Sequence, residues 1–264
     1  MSLEDKYMNR DVSKLLNFCK DLSRAGGEVA KNSWDKKREL KEKAETDFVS
    51  DADYEVEELI IARIKEKYPE DQIITEEKLS SSGTNSWSWI LDPIDGTKNY
   101  IKKIPIFCVS LAVKKNDNLI AGVIYDPLRD DIFYGAKGKG AFYNDKSIKV
   151  SEENSLKRAT VATEISFINQ TENNPIIDKK NINLFGDIRT LGSTALQLAY
   201  TAAGKIDLSF FKCSNLWDLA AGLLLIKEAG GCAYTFSKKP FNLKTSKSLV
   251  LGPEELVEEF CGLD

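Results

Sequence analysis

At 264 residues, with 42% apolar and 30% charged residues, the chain has the composition of a globular protein with a large core. Its net charge of −4 argues against a nucleic-acid-polymer partner, and no apolar run, the longest lying around Leu219–Ile226, is long enough to span a membrane. There is no histidine, which excludes Ser-His-Asp and Cys-His catalysis and nearly all His-based zinc or iron sites, so any catalysis must come from carboxylates, hydroxyls, lysine or a bound cation.

Met1–Arg10 is charged and polar and contains no signal-peptide core, so a cytoplasmic location is the default expectation. The five cysteines are scattered and form no Cys-x-x-Cys, which points to reduced, mostly buried thiols. Asp11–Ala30 has helical spacing through Leu15, Cys19 and Leu22, with Gly26-Gly27 expected to weaken its second half. Lys31–Lys43 is dense in charge without periodicity and reads as a solvated loop, in which Lys36, Lys41 and Lys43 are candidates to close over an anionic substrate. A second helix begins near Asp53 and buries Val56, Leu59, Ile60 and Ile64 before Pro69 ends it. Asp53 suits its N-terminus, either as a cap or as a functional acid.

Ile73-Ile74 is a short strand running into Glu76-Glu77. Trp89-Ile90-Leu91 is another, expected to stop at a turn formed by Asp92-Pro93-Ile94-Asp95-Gly96. That loop sets two carboxylates three residues apart and can turn the Ile94 carbonyl inward, so three hard oxygen ligands converge. Phe107–Val113, Leu119–Tyr125, Asp131–Gly135 and Ala141–Tyr143 read as antiparallel strands. From Lys149 the pattern changes. Ala159–Thr163, Asp187–Thr190 and Ile206–Phe211 read as strands, and the polar Asn169–Asn183 as a segment containing a helix. Gly192-Ser193-Thr194 opens a helix whose bare amides, at Thr194 for example, suit an anion or a substrate hydroxyl. A further helix starts at Trp217-Asp218 and ends at Gly230-Gly231, with Ala220, Ala221 and Gly222 allowing close packing. The last helix is placed at about Pro253–Phe260. The result is an α/β (α+β) chain, divided into an N-terminal lobe over 1–150 and a C-terminal lobe over 151–264 that supplies Asp218.

The acids share one design, each closing or opening an apolar element: Asp53, Glu76, Asp92/Asp95 and Asp218. Glu76, Asp92, Asp95 and Asp218 carry enough charge to neutralise two divalent cations, and oxygen-only ligands select Mg²⁺, Mn²⁺ or Ca²⁺. An EF-hand is excluded at Asp92–Gly96, because Pro93 and Ile94 stand where a calcium loop needs oxygens.

From Phe48 to Gly231 the chain resembles the inositol monophosphatase family of Mg²⁺-dependent, lithium-sensitive phosphatases. Two motifs carry the resemblance: Trp89-Ile90-Leu91-Asp92-Pro93-Ile94-Asp95-Gly96-Thr97, and Trp217-Asp218-Leu219-Ala220-Ala221-Gly222 followed by Glu228-Ala229-Gly230-Gly231. The resemblance implies a layered α-β-α-β-α sandwich of the inositol monophosphatase/fructose-1,6-bisphosphatase type, a homodimer, and hydrolysis of a small phosphorylated substrate with two or three Mg²⁺ ions. It assigns Glu76, Asp92 and the Ile94 carbonyl to one ion, and Asp92, Asp95 and Asp218 to a second. A weaker third would rely on Glu76 and water. Thr97, assisted by Asp53, would orient the attacking water, which with Glu76 makes the catalytic set. The amides of Gly96 and Thr97 would bind phosphate, and Asp95 and Thr194 would contact substrate.

One departure bears on specificity. Seven residues before Asp218, where animal relatives use a glutamate to hold inositol hydroxyls, this chain has Phe211, followed by Lys212. Both are candidate substrate contacts and point to a broad polyol-phosphate enzyme; the alternative is that Phe211 is a core strand residue and Lys212 points to solvent. Lys98 in Asp-Gly-Thr-Lys resembles the bisphosphate-nucleotidase branch, whereas Asn99-Tyr100 and Ile104–Phe107 look more like the inositol monophosphatase branch. A 3′-phosphoadenosine 5′-phosphate phosphatase and a fructose-1,6-bisphosphatase remain alternatives, as does a noncatalytic metal-binding module of the same fold.

Overall fold

A computed structural model describes residues 10–34, 41–44, 47–49, 51–77, 81–164, 182–212, 215–243, 245–246 and 248–263. The first helix, α1 (Val12–Trp34), runs through Gly26-Gly27 without a break. Both glycines are points of close approach, which reverses their expected effect. A Cβ on Gly26 would lie 2.7 Å from Ile60 Cδ1, and one on Gly27 would lie 2.5 Å from the Tyr125 ring. Beyond α1 the expected loop is partly a small antiparallel hairpin of β1 (Lys41–Ala44) and β2 (Asp47–Val49). Lys36 and the side chains of Lys41 and Lys43 lie outside the described residues. Helix α2 (Asp51–Lys67) buries Val56, Ile60 and Ile64 as its spacing predicts, while Leu59 is half-buried.

Seven strands form the larger sheet, in sequential order: β3 (Gln72–Thr75), β4 (Trp87–Asp95), β5 (Cys108–Lys115), β6 (Asn118–Asp126), β7 (Asp131–Ala136), β8 (Gly140–Tyr143) and β9 (Lys146–Ile148). Only β3 and β4 pair in parallel; the short connections that follow give antiparallel hairpins. Strand β9 was not anticipated. It follows a two-residue turn in which Asn144 and Asp145 both have positive φ, a shape these two residue types adopt more readily than most.

The second sheet has the order β11-β10-β12-β14-β13, comprising β10 (Thr160–Ala162), β11 (Asp187–Arg189), β12 (Leu208–Lys212), β13 (Cys232–Tyr234) and β14 (Ser248–Gly252). The helix expected within Asn169–Asn183 falls almost wholly outside the described residues; Ile182–Leu184 makes one 3₁₀ turn. Three longer helices complete the chain: α4 (Thr194–Ala202), α5 (Leu216–Glu228) and α6 (Glu254–Cys261). A five-residue helix, α3 (Thr97–Ile101), precedes them.

Period-two alternation sorts the side chains into layers. On β4, Trp89 and Leu91 join the core under α1 and α2, while Ile90 joins the core beneath α4 and α5. On β12, Phe211 enters that second core, and Phe210 packs on the opposite face with Leu256, Val257 and Phe260 of α6. The architecture is therefore α1/α2, seven strands, α4/α5, five strands, α6, the expected α-β-α-β-α sandwich.

Candidate active site

Strand β4 does not stop at Asp92. It continues to Asp95 and is buried throughout, so the expected turn is instead a bulged strand end. Asp92 pairs with Ser110 and Asp95 with Cys108, so three steps on β4 match two on β5. One extra residue has been inserted. In a regular strand, residues three apart point to opposite faces; the bulge brings Asp92 and Asp95 to the same place. Pro93, which has no N–H to give a ladder, is tolerated at such a point. The strand then breaks at Gly96, whose φ of 97° and close neighbours, Ile106 O at 2.9 Å and Gly192 O at 3.2 Å from an added Cβ, leave room only for glycine.

Asp95 is held from four directions. Ser193 donates its hydroxyl to Oδ2, the Ala195 amide donates to Oδ2 at 2.9 Å, the Thr194 amide to Oδ1 at 3.1 Å, and Cys108 Sγ lies 3.6 Å from Oδ2. The start of α4 thus binds an anion, as expected of bare amides, but the anion is a side chain of the same protein. The Thr194 amide is therefore already engaged, which corrects its reading as a bare donor for substrate.

Asp218 arrives from the start of α5, where its Oδ2 accepts from the Asn215 amide at 3.1 Å. It caps its own helix and also joins the cluster: ligand oxygens of Asp92, Asp95 and Asp218 all lie within 4.8 Å of one another. The close packing expected at Ala220–Gly222 brings this helix in. A Cβ on Gly222 would sit 2.3 Å from Leu198 Cβ of α4, and one on Gly122 of β6 would lie 3.1 Å from the Ala221 backbone.

The electrostatics show how tightly the acids are gathered. Burial, then the charges of Glu76, Asp95, Asp218 and Asp53, push the Asp92 carboxyl well above the usual range. Burial and Asp95 hold Asp218 up at about 8. Burial also raises Asp95, against the opposing pull of its hydrogen bonds from Ser193, Ala195 and Thr194. Glu76 is outside the close triad, yet it is the strongest of the charges acting on Asp92. Asp92 Oδ1 is buried and accepts no hydrogen bond from the described residues.

Beside the cluster, Thr97 Oγ1 lies 3.0 Å from the Ile94 carbonyl and 3.3 Å from Asp53 Oδ1, and Asp53 is fully buried at the start of α2. The hydroxyl proton has two acceptors, which leaves the oxygen lone pairs to receive a proton from another molecule.

Phe211 does not belong to this site. It is completely buried in the core between α4/α5 and the second sheet, because its place on β12 points it inward, and it presents no surface to a solute. Lys212, one residue on, is exposed. Three further residues escaped the sequence reading. Ser193 orients Asp95. Buried Asn99 ties the first motif to the approach of α4 through the carbonyls of Ile106 and Leu191, at 2.9 and 2.8 Å. Glu164 lies 3.4 Å from Thr194 Oγ1, and its charge acts on Asp218. A Gly-Ser-Thr helix start gives a signal for Ser193; nothing in the local sequence marks Asn99 or Glu164.

A profile of the inositol monophosphatase family matches residues 11–263, so the chain belongs to that family and is a phosphoric monoester hydrolase. It is 35% identical over 254 residues to the Nus factor SuhB of Pasteurella multocida, covering 94% of each chain. It is 36% identical over 242 residues to the fructose-1,6-bisphosphatase/inositol-1-monophosphatase of Aquifex aeolicus, covering 88% of this chain and 89% of that one. The structure of the Thermotoga maritima IMPase superposes with a TM-score of 0.86 at 32% identity, covering 95% of this chain and 96% of that one.

Proposed function

We propose that this chain is a Mg²⁺-dependent phosphomonoesterase acting on inositol monophosphate or a similar small polyol phosphate, by attack of water. The observation that carries the reading is the buried, partnerless Asp92 Oδ1 in the middle of the Asp92–Asp95–Asp218 cluster. A buried carboxylate oxygen needs a partner, and the charges gathered around Asp92 are those of further acids, Glu76, Asp95, Asp218 and Asp53. An all-oxygen donor set suits magnesium. Asp92, Asp95 and Asp218 would hold such ions, two or three in all, with Glu76 and the Ile94 carbonyl completing the set. When bound, the cations supply charge neutralisation at the phosphoryl group and lower the pKa of water.

The chain's own groups supply position and proton handling. Asp53 and Ile94 draw the Thr97 hydroxyl proton inward, so Thr97 Oγ1 faces outward as an acceptor that aligns the attacking water. Ser193 and the start of α4 fix Asp95. The Gly96 and Thr97 amides, at the left-handed entry to α3, suit a phosphate oxygen. No histidine is needed in this scheme.

The name of the Aquifex relative favours a second reading in which bisphosphates are also accepted, and the exposed Lys212 at the end of β12 is a candidate for a second anionic group. A homodimer, lithium inhibition and a cytoplasmic location accompany the proposal; among the described residues no helix is long and apolar enough to cross a membrane. The test is phosphate release from inositol 1-phosphate, fructose 1,6-bisphosphate and 3′-phosphoadenosine 5′-phosphate, with chelator and then with Mg²⁺. Release of inositol from the first, lost in chelator and restored by Mg²⁺, is expected. Undiminished activity in metal-free protein would overturn the metal assignment. A hundredfold preference for the nucleotide, about 3 kcal/mol of transition-state discrimination, would overturn the substrate.

A further inference from the structure

Helix α2 carries two fully buried acids one turn apart, Asp53 and Glu57. Asp53 faces Thr97; Glu57 has no part in the scheme above. Its Oε2 accepts two hydrogen bonds, from the Thr75 hydroxyl at 2.8 Å and from the Glu77 amide at 3.1 Å. These two donors flank Glu76 on either side. A single carboxylate oxygen therefore grips the chain immediately before and immediately after the acid that acts most strongly on Asp92.

The grip comes where the sheet ends. Strand β3 pairs in parallel with β4 through Thr75↔Leu91, the last pair of the ladder. One step further, past the last pair of the β3–β4 ladder, the register sets Glu76 beside Asp92. Glu57 takes over at that step, from a helix that is itself seated firmly. Gly26 of α1 lets the helices approach until an added Cβ would meet Ile60 at 2.7 Å and Val56 at 3.0 Å. A leucine would fill the interior position of Glu57 without the penalty of burying a carboxylate, so packing alone does not account for an acid there.

We propose that Glu57 is the positioning residue for Glu76. It fixes the Thr75–Glu77 corner so that the Glu76 carboxylate meets Asp92 at the cation site. Helix α2 then serves both halves of the chemistry, Asp53 orienting the water-aligning hydroxyl and Glu57 the cation-binding acid. The proposal rests on the reading of Glu76 as a cation ligand.

The test is calorimetric titration of the full chain with Mg²⁺ alone, in Glu57→Leu, Glu57→Gln, Thr75→Val and Glu76→Gln proteins, each checked for folding by thermal melting. Glu57→Leu should weaken Mg²⁺ binding by about tenfold to a hundredfold, the usual range for groups that orient a ligand. Glu57→Gln keeps an oxygen that accepts both hydrogen bonds and should stay within about threefold of the parent. Thr75→Val removes one of the two bonds with little change in shape and should weaken binding by a smaller factor. Parental Mg²⁺ affinity in folded Glu57→Leu, with weakened binding in Glu76→Gln, would overturn the proposal and leave the cation site standing. Parental affinity in Glu76→Gln would overturn the ligand role of Glu76 and the proposal with it. If Glu57→Leu does not fold, parental affinity in Thr75→Val overturns the proposal, and weakened affinity supports it. A purely structural Glu57 would lower the melting temperature and leave Mg²⁺ affinity untouched.

Discussion

Removing the cation should make this fold sensitive to pH in an unusual direction. Burial first and the charge of Asp95 second push the Asp218 carboxyl up to about 8 in the folded protein, from 3.8 for an ordinary aspartate. Between those values the folded chain holds a proton that the unfolded chain has released. Unfolding then releases protons, and stability falls as pH rises across the window. The difference is about four units, which at about 1.4 kcal/mol per unit gives a ceiling near 5–6 kcal/mol. Asp218 keeps some contact with water, and screening leaves about 3 kcal/mol as a working figure. That figure spans the whole window from 3.8 to about 8; the part above pH 5.5, about 2 kcal/mol, corresponds to a fall of roughly 4–8 °C in melting temperature for a chain of this length. The assay is thermal melting from pH 5.5 to 8.5, in chelator and in saturating Mg²⁺. Chelated parent protein should lose stability steadily over the range. Mg²⁺ should flatten the curve, and Asp218→Asn should make it shallower without Mg²⁺, the buried Asp92 and Asp95 carboxyls keeping part of the slope. A chelated parent whose melting temperature is level or rising from pH 5.5 to 8 would refute the reasoning.

Thr97→Ala should leave Mg²⁺ affinity near the parental value while lowering kcat about a hundredfold or more, with Thr97→Ser recovering most of it; a loss confined to KM would argue against water alignment. Gly222→Ala, which in an open helix would gain about 1 kcal/mol, should instead lose about 1–3 kcal/mol because the new Cβ falls 2.3 Å from Leu198 Cβ. Denaturant melts read that loss, and a Gly222→Ala protein as stable as the parent would refute the close approach of α5 to α4. Phe211→Glu should destabilise the protein by at least about 3 kcal/mol, since it trades a filled core position for a buried, unpaired carboxylate; a stable variant with altered substrate preference would show that position 211 does reach the site.

The layers were legible because each strand carries its own period. Trp89, Ile90 and Leu91 alternate between two cores, and so do Phe210 and Phe211. Position in a motif and position on a strand give Phe211 two different roles, substrate contact or core residue, and the strand, with Phe210 buried on its other face, determines where it points. Gly26-Gly27 misled for a related reason. Helix propensity describes a chain alone in water, whereas these glycines are defined by Ile60 and Tyr125, far along the chain. Strand β9 was missed because it is only three residues long and mainly polar, Lys146-Ser147-Ile148, after the turn residues Asn144-Asp145.

The acids were legible as a set, but the way they meet was not. A turn at Asp92–Gly96 would have presented both aspartates on a loop, where each could move. The bulge keeps them within a buried strand, and the neighbours of that strand then fix each one separately. Asp95 is pinned by Ser193 and two amides of α4, while Asp92 keeps an oxygen with no hydrogen-bond partner among the described residues. The asymmetry follows from one inserted residue, because without it only one of the two would face α4 and α5 at all. Spacing of three residues looks like a turn when the strand is assumed to have ended. It becomes a shared face only through the register against Ser110 and Cys108, and a register against a partner strand is not written in any local stretch of sequence.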